Sequence, residues 1–110
     1  MAHYLVRAYV KPQQLEHLAR RLEELAFADL EPFGLELTRN LRNARVLECG
    51  VAAWEEEDDC MPPLAQERAA ILDRYFRQIE VEPVEAEEGW DRIAELPKLF
   101  PALAADTGEY

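Results

Sequence analysis

Positive charge is scarce in this chain, and cysteines and long apolar runs are few or absent. Its 110 residues carry 12 Lys and Arg against 23 Asp and Glu, a formal net charge of −11. A surface of this sign repels the phosphates of nucleic acids and of anionic membranes, so we expect neither as a partner. The two cysteines, Cys49 and Cys60, form no CxxC motif. We expect them to be free thiols in a reducing compartment.

Other absences narrow the class of protein further. No apolar stretch approaches the roughly 18 residues of a membrane span, and the first residues lack the three regions of a signal peptide. We therefore expect a cytoplasmic protein. The sequence also lacks the spacing of an EF-hand and the HExxH motif. We expect no cofactor, and no motif by itself identifies a catalytic or metal site.

The composition is that of a globular domain. Hydrophobic residues make up 49% of the chain and charged residues 32%. A chain of this length buries roughly two-thirds of its unfolded surface, so one core can suffice without a metal or disulfide. We predict a single α+β domain over residues 1–95, followed by a tail over 96–110 that is partly packed and then disordered.

Hydrophobic periodicity predicts six elements in the order β-α-β-β-α-β. Alternation predicts strands, and apolar residues at the spacing i, i+3, i+4 and i+7 predict helices. The strands are expected over 4–10, 35–41, 46–54 and 79–84, and the helices over 13–28 and 64–76. The acidic segment 55–61 is expected to be a loop. Residues 42–44 are expected to form a tight turn that joins the second and third strands as a hairpin.

This order of elements is that of the ferredoxin-like fold. The expected sheet is antiparallel with strand order 4-1-3-2 and has both helices on one face. Two details agree with it: Pro83 suits an edge strand, and the strand over 46–54 is apolar on both faces, as a central strand should be.

The predicted topology brings acidic groups together at one end of the sheet. His3, at the start of the first strand, should lie near Trp54 and the acidic loop at the end of the third. Carboxylates suit calcium or magnesium, whereas His and Cys suit zinc. Because a charge run is usually a solvated loop, we predict no bound metal. The residues that could contribute to one are His3, Glu55, Asp58, Asp59 and Cys60.

The sheet face away from the helices carries the other candidate surface. Leu5, Tyr9 and Trp54, beside His3 and Arg7, are expected to form an uncovered apolar and aromatic patch. Such a patch usually marks an interface or a ligand site. We expect a dimeric interaction or ligand-binding module, with a homodimer or the 96–103 tail covering this face.

The alternative is a small cofactor-free enzyme, oxygenase-like or isomerase-like, with a pocket at the sheet face. Its acid–base residues would come from His3, Arg7, Tyr9 and Glu48. A deep pocket containing His3 and a buried carboxylate would favour this alternative over the interaction module. A nucleophilic Cys60 with His3 as its base is disfavoured, because nearby acids raise the pKa of a thiol.

Overall fold

A computed structural model gives the structure of residues 2–103, and a four-stranded antiparallel sheet runs through its centre. The strands are β1 (Ala2–Val10), β2 (Arg45–Val46), β3 (Val51–Asp58) and β4 (Phe76–Val84), in the spatial order β2-β3-β1-β4. β1 pairs with both β3 and β4, so β1 and β3 are central and the Pro83-containing β4 is at an edge. The α+β class and the strand order agree with the predicted ferredoxin-like arrangement.

Helices cover one face of this sheet. They are α1 (Leu15–Glu23), α2 (Gly34–Arg42) and a continuous helix over 65–75, which consists of α3 (Ala65–Glu67), a π-helical turn (Arg68–Leu72) and α4 (Asp73–Tyr75). The main core lies between these helices and the sheet. Its largest fully buried apolar side chains are Trp54, Tyr75, Phe76, Leu18, Leu22, Leu37, Leu41, Leu64 and Leu72.

The C-terminal segment covers part of the opposite face, which we call the outer face. Helix α5 (Glu88–Ile93) lies there, and Ile93 packs with Leu5 and Ala53 in a second small core. The chain then passes the β2 edge, where the Val46 N–H donates to the Pro97 carbonyl at 2.9 Å. Among residues 2–103, no helix combines the length and the apolar character needed to cross a membrane.

The predicted second strand is wrong, because residues 35–41 belong to α2. Leu35 and Leu37 alternate like strand residues, but Leu37 and Leu41 are one helical turn apart and both are fully buried. The Thr38 hydroxyl donates to the Gly34 carbonyl, as in a helix turn. Leu35 is instead 54% exposed. The predicted 42–44 turn therefore joins α2 to a two-residue β2 and does not connect two long strands.

The predicted boundary between the third strand and the acidic loop is also wrong. Residues Glu48–Gly50 form a 3-10 turn in which Cys49 is exposed with φ 64, and the strand begins at Val51. It continues through Glu55 to Asp58, because β1 offers a pairing partner along that whole length. The acids from Glu55 to Asp58 are thus held in a strand, and Asp59 follows it in the loop.

The first helix is shorter than predicted, ending at Glu23 instead of residue 28. Leu25 takes a left-handed conformation with φ 58. The Ala26 N–H donates to the Arg21 carbonyl and the Leu25 N–H donates to the Leu22 carbonyl, which is the Schellman pattern that ends helices. The end of α1 is not recognisable from the sequence, because glycine, and not leucine, is the usual residue at the left-handed position that ends a helix. The predicted disorder of the tail concerns residues 104–110, which lie outside the described residues.

Candidate active site

The acidic groups meet at the end of the sheet where β1 begins and β3 ends. His3 is opposite Glu57 in the β1–β3 ladder and opposite Val84 in the β1–β4 ladder. The expected juxtaposition of His3, the segment over 55–60 and the end of β4 is therefore confirmed.

The four consecutive acids of β3 are divided between the two faces of the sheet. Successive side chains of a strand point to opposite faces. Trp54, Glu56 and Asp58 point to the helix-covered face and are buried, Glu56 with an exposed fraction of 1%. Glu55 and Glu57 point to the outer face, and Glu55 is also buried, with an exposed fraction of 4%. Two different acidic sites therefore lie back to back across one strand.

Glu55 fastens the start of α5 to the sheet. Its Oε1 accepts hydrogen bonds from the backbone N–H groups of Gly89 at 2.7 Å and Trp90 at 3.2 Å, and its Oε2 accepts from that of Glu87 at 2.9 Å. A Cβ at position 89 would lie 2.9 Å from Glu55 Oε1, so any residue other than glycine would displace this carboxylate. The Glu55 carboxylate is therefore fixed in place by the backbone around it.

The same carboxylate faces the ring of His3. Nδ1 of His3 lies 3.3 Å from Glu55 Oε2, and the side chain of His3 is 24% exposed whereas that of Glu55 is 5% exposed. A carboxylate beside one ring nitrogen favours the tautomer with the proton on that nitrogen. His3 is thereby oriented with Nδ1 toward Glu55, and Nε2 is the nitrogen left for chemistry.

A cleft of about 500 Å³, which we call the His3 cleft, opens beside this pair. It lies between α2, the outer-face side chains at the end of β3 and the start of α5. Its lining combines carboxylates with one indole ring and one guanidinium group. The lining residues are His3, Pro32, Leu35, Glu36, Arg39, Asn40, Glu55, Glu57, Glu87 and Trp90.

A second cleft, of about 290 Å³, lies on the helix-covered side of β3 and is called here the Asp58 cleft. It shares Pro32, Glu36 and Glu57 with the His3 cleft. Its lining residues are Pro32, Phe33, Glu36, Glu56, Glu57, Asp58, Asp59, Cys60, Gln66 and Glu67, and none of these is basic. The chain thus concentrates negative charge here without a basic group among the lining residues.

Glu56 is the most strongly perturbed of these carboxyl groups. Burial, together with repulsion from Glu36 and Glu67, raises its pKa to about 8, against opposing hydrogen bonds from Asn40 and from Trp54 Nε1, the latter at 3.0 Å. Glu56 is therefore largely protonated at neutral pH. Burial also raises the pKa of Glu36, helped by Glu57, and the pKa of Glu67, helped by Asp58.

Cys60 has no nucleophilic activation. A backbone hydrogen bond from Gln66 favours its thiolate, but burial, Asp58 and Glu67 outweigh it, so the pKa of Cys60 is raised. This direction agrees with the argument from sequence that nearby acids disfavour a reactive thiolate.

The residues expected to form an uncovered outer face differ in their burial and in the face of the sheet on which they lie. Trp54 points into the main core and is fully buried, so the expectation that it joins that face is wrong. Leu5 is on the outer face but is 3% exposed beneath α5. Tyr9 stays half-buried under the Arg77 guanidinium, 5.0 Å from the ring centroid. Arg7 is paired with Glu82 at 3.1 Å.

The remaining candidates divide between the two clefts. Glu48, expected as a buried carboxylate, is exposed in the turn before β3 and lines neither cleft. His3 and Glu55 are brought together in the His3 cleft, whereas Asp58 and Cys60 come together in the Asp58 cleft. Asp59 is exposed at the rim of the latter.

Sequence reasoning missed Glu36, Glu56 and Glu67. Glu67 is 1% exposed, although a charged helix residue usually lies on the solvated face. It lies three residues after Leu64 and four before Ile71, so helical spacing places it on the buried stripe. Alternation through the acidic run would have identified Glu56 in the same way.

Comparisons with protein-family models, with curated proteins and with solved structures find no match for this chain.

Proposed function

We propose that this protein binds a small cationic molecule in the His3 cleft and transfers a proton to or from it through His3. The observation that carries the proposal is the buried Glu55 carboxylate 3.3 Å from His3 Nδ1 at the wall of a 500 Å³ cleft. A pocket that combines His3 with a buried carboxylate is the feature expected of the enzyme alternative. Glu55, and not the candidate Glu48, is the carboxylate beside His3 in this proposal.

The two residues have separate roles in this proposal. Glu55 already accepts three backbone hydrogen bonds, so it suits a fixed anion that orients the imidazole ring and not a proton carrier. His3 is half-buried, and its Nε2, the ring nitrogen that does not face Glu55, would accept or donate the transferred proton. When the ring gains a proton at Nε2, the adjacent Glu55 carboxylate stabilises the positive charge.

The charge of the lining supports a cationic ligand. Glu36, Glu57 and Glu87 line the cleft, and among residues 2–103 Arg39 is the one guanidinium group that does so. The Trp90 indole also lines the cleft, and the face of an indole ring attracts cations. Carboxylates with an aromatic wall suit an alkyl amine or an amidine of a few carbon atoms.

The experiment is a titration of the ¹⁵N-labelled protein with a short alkyl diamine, and with a dicarboxylate of equal length as the matched ligand control. The diamine should move the signals of Asn40, Glu57 and the Trp90 indole and those of the His3 ring. The ring of His17 provides an internal control, because it stacks on Tyr75 at the other side of the domain.

A variant makes this test quantitative. Glu57→Gln should weaken diamine binding about fivefold, the loss of one partly exposed ion pair of about 1 kcal/mol. Glu23→Gln, which neutralises an exposed glutamate on α1, should leave it unchanged. Equal effects of the diamine and the dicarboxylate, or signals that move around His17 instead of His3, would contradict the proposal.

A second candidate function is homodimerisation through the open half of the outer face. Tyr9, Leu47 and Val51 are only half-buried beside a groove of about 630 Å³, and Ile79, which packs against the main core, also borders this groove. Arg7 and Glu80 also line it, so a two-fold axis would bring opposite charges together. Light scattering should then give a dimer for the wild type and a monomer for Tyr9→Glu. A monomeric wild type would remove this candidate.

A further inference from the structure

Three potential metal ligands converge in the Asp58 cleft. One carboxylate oxygen each of Asp58 and Glu67 and the Sγ atom of Cys60 all lie within 4.8 Å of one another. Asp58 and Glu67 are buried and Cys60 is half-buried. The group belongs to three different elements, namely the end of β3, the loop that follows it and α3.

Glu67 shows that this cluster is more than a set of surface acids. The residue is 1% exposed, and within residues 2–103 its Oε1 has no hydrogen-bond partner. A buried carboxylate oxygen without a partner is costly, unless a ligand satisfies it. Asp58 and Cys60 lie close to the Glu67 carboxylate, and a cation held between the three groups would supply the missing partner.

Backbone hydrogen bonds fix the Asp58 carboxylate in a position where it can bind such a ligand. Its Oδ2 accepts hydrogen bonds from the backbone N–H groups of Cys60 at 3.1 Å and Leu64 at 2.7 Å. Leu64 takes a left-handed conformation with φ 63 immediately before α3, and the 59–64 loop thereby folds around the carboxylate. The positions of Asp58 and Cys60 are thus tied to each other by the backbone.

We propose that Asp58, Cys60 and Glu67 bind a divalent transition-metal ion of the zinc class. One sulfur and two carboxylate oxygens suit zinc or cobalt, whereas calcium and magnesium prefer oxygen alone. Three protein ligands leave a fourth position open toward the 290 Å³ cleft, where water or a small ligand can bind. This proposal is independent of the proton-transfer function proposed for the His3 cleft.

The two cysteines make a matched test. Metal-free protein with reduced thiols is titrated with Co²⁺, whose thiolate complexes give a charge-transfer absorption band in the near ultraviolet. The band should saturate at one equivalent in the wild type and in Cys49→Ser, because Cys49 is exposed and outside the cluster. It should be absent in Cys60→Ser. A band that survives Cys60→Ser, or that is lost in Cys49→Ser, would overturn the proposal.

Glu67→Gln separates a metal ligand from a residue that only supports the fold. It should weaken Co²⁺ and Zn²⁺ binding at least about tenfold, since groups that merely orient ligands already cost about 10- to 100-fold. Its melting temperature in a chelator should equal or exceed that of the wild type, because a buried repulsive charge is removed. Unchanged metal affinity, or wild-type binding of Ca²⁺ or Mg²⁺ as tight as that of Co²⁺, would also overturn the proposal.

Discussion

Neutralising Glu56 should make the protein more stable at neutral and mildly alkaline pH. Glu56 is fully buried between Trp54, Asn40, Glu36 and Glu67, and its pKa is raised to about 8 from the ordinary value of 4.5. The substitution Glu56→Gln keeps an oxygen that can accept the Trp54 Nε1–H. It also removes the cost of burying a carboxylate when the wild-type group loses its proton.

The sign of the pH dependence follows from proton counting. Between pH 4.5 and about 8 the folded state holds the Glu56 proton, whereas the unfolded state has released it. Folded protein therefore binds more protons, so the free energy of unfolding falls as pH rises through this window. At about 1.36 kcal/mol per pH unit, Glu56 alone removes about 2 kcal/mol between pH 6 and pH 8.

The assay is urea unfolding at several pH values in the presence of a chelator, followed by tryptophan fluorescence, to which the buried Trp54 and the half-buried Trp90 both contribute. The wild type should lose stability from pH 6 to pH 8, and Glu56→Gln should lose about 2 kcal/mol less. Glu36 and Glu67 have pKa shifts of the same direction and are present in both proteins, so the difference reports Glu56 together with its repulsion from these two carboxyl groups. Glu23→Gln serves as an exposed control. Parallel curves of unfolding free energy against pH for the wild type and Glu56→Gln would show that the pKa of Glu56 is not raised in the folded protein.

Two further predictions concern the outer face. Glu55→Ala removes three hydrogen bonds to the start of α5 and should cost about 2–4 kcal/mol of stability, with faster amide exchange at Gly89 and Trp90. Unchanged exchange at those two amides would show that α5 is held by other contacts. Leu5→Ala should cost about 2–5 kcal/mol in urea unfolding, because Leu5 is buried beneath α5, whereas Leu35→Ala should change stability by less than about 0.5 kcal/mol. Equal effects of these two substitutions on stability would contradict the burial of Leu5 beneath α5.

The first strand was predictable because its pattern has one interpretation. Val6 and Ala8 alternate with Leu5 and Arg7, and the structure places the two sets on the expected faces of β1. The region over 35–41 was not predictable in the same way. Leu35 and Leu37 fit a strand, Leu37 and Leu41 fit a helix, and only burial of the second pair decides between them.

The candidate site was predictable in its location but not in its membership. Strand order alone brings His3 to the end of β3, since antiparallel neighbours in the sheet meet start to end. Glu56 belongs to the site because β3 continues through four consecutive acids, and Glu67 belongs to it because a glutamate of the helix is buried. Neither feature is expected from composition, because acidic residues usually lie in solvated segments. Tertiary packing overrides that preference here, as it often does at functional sites.

The most direct test of the central claim is the tautomer of His3, read from the ¹⁵N signals of its two ring nitrogens at a pH where the ring is neutral. We expect the proton to reside on Nδ1, beside Glu55, and Nε2 to be unprotonated. Glu55→Gln should shift this balance, whereas the His17 signals should stay as in the wild type. A His3 ring with its proton on Nε2, unaffected by Glu55→Gln, would contradict the account.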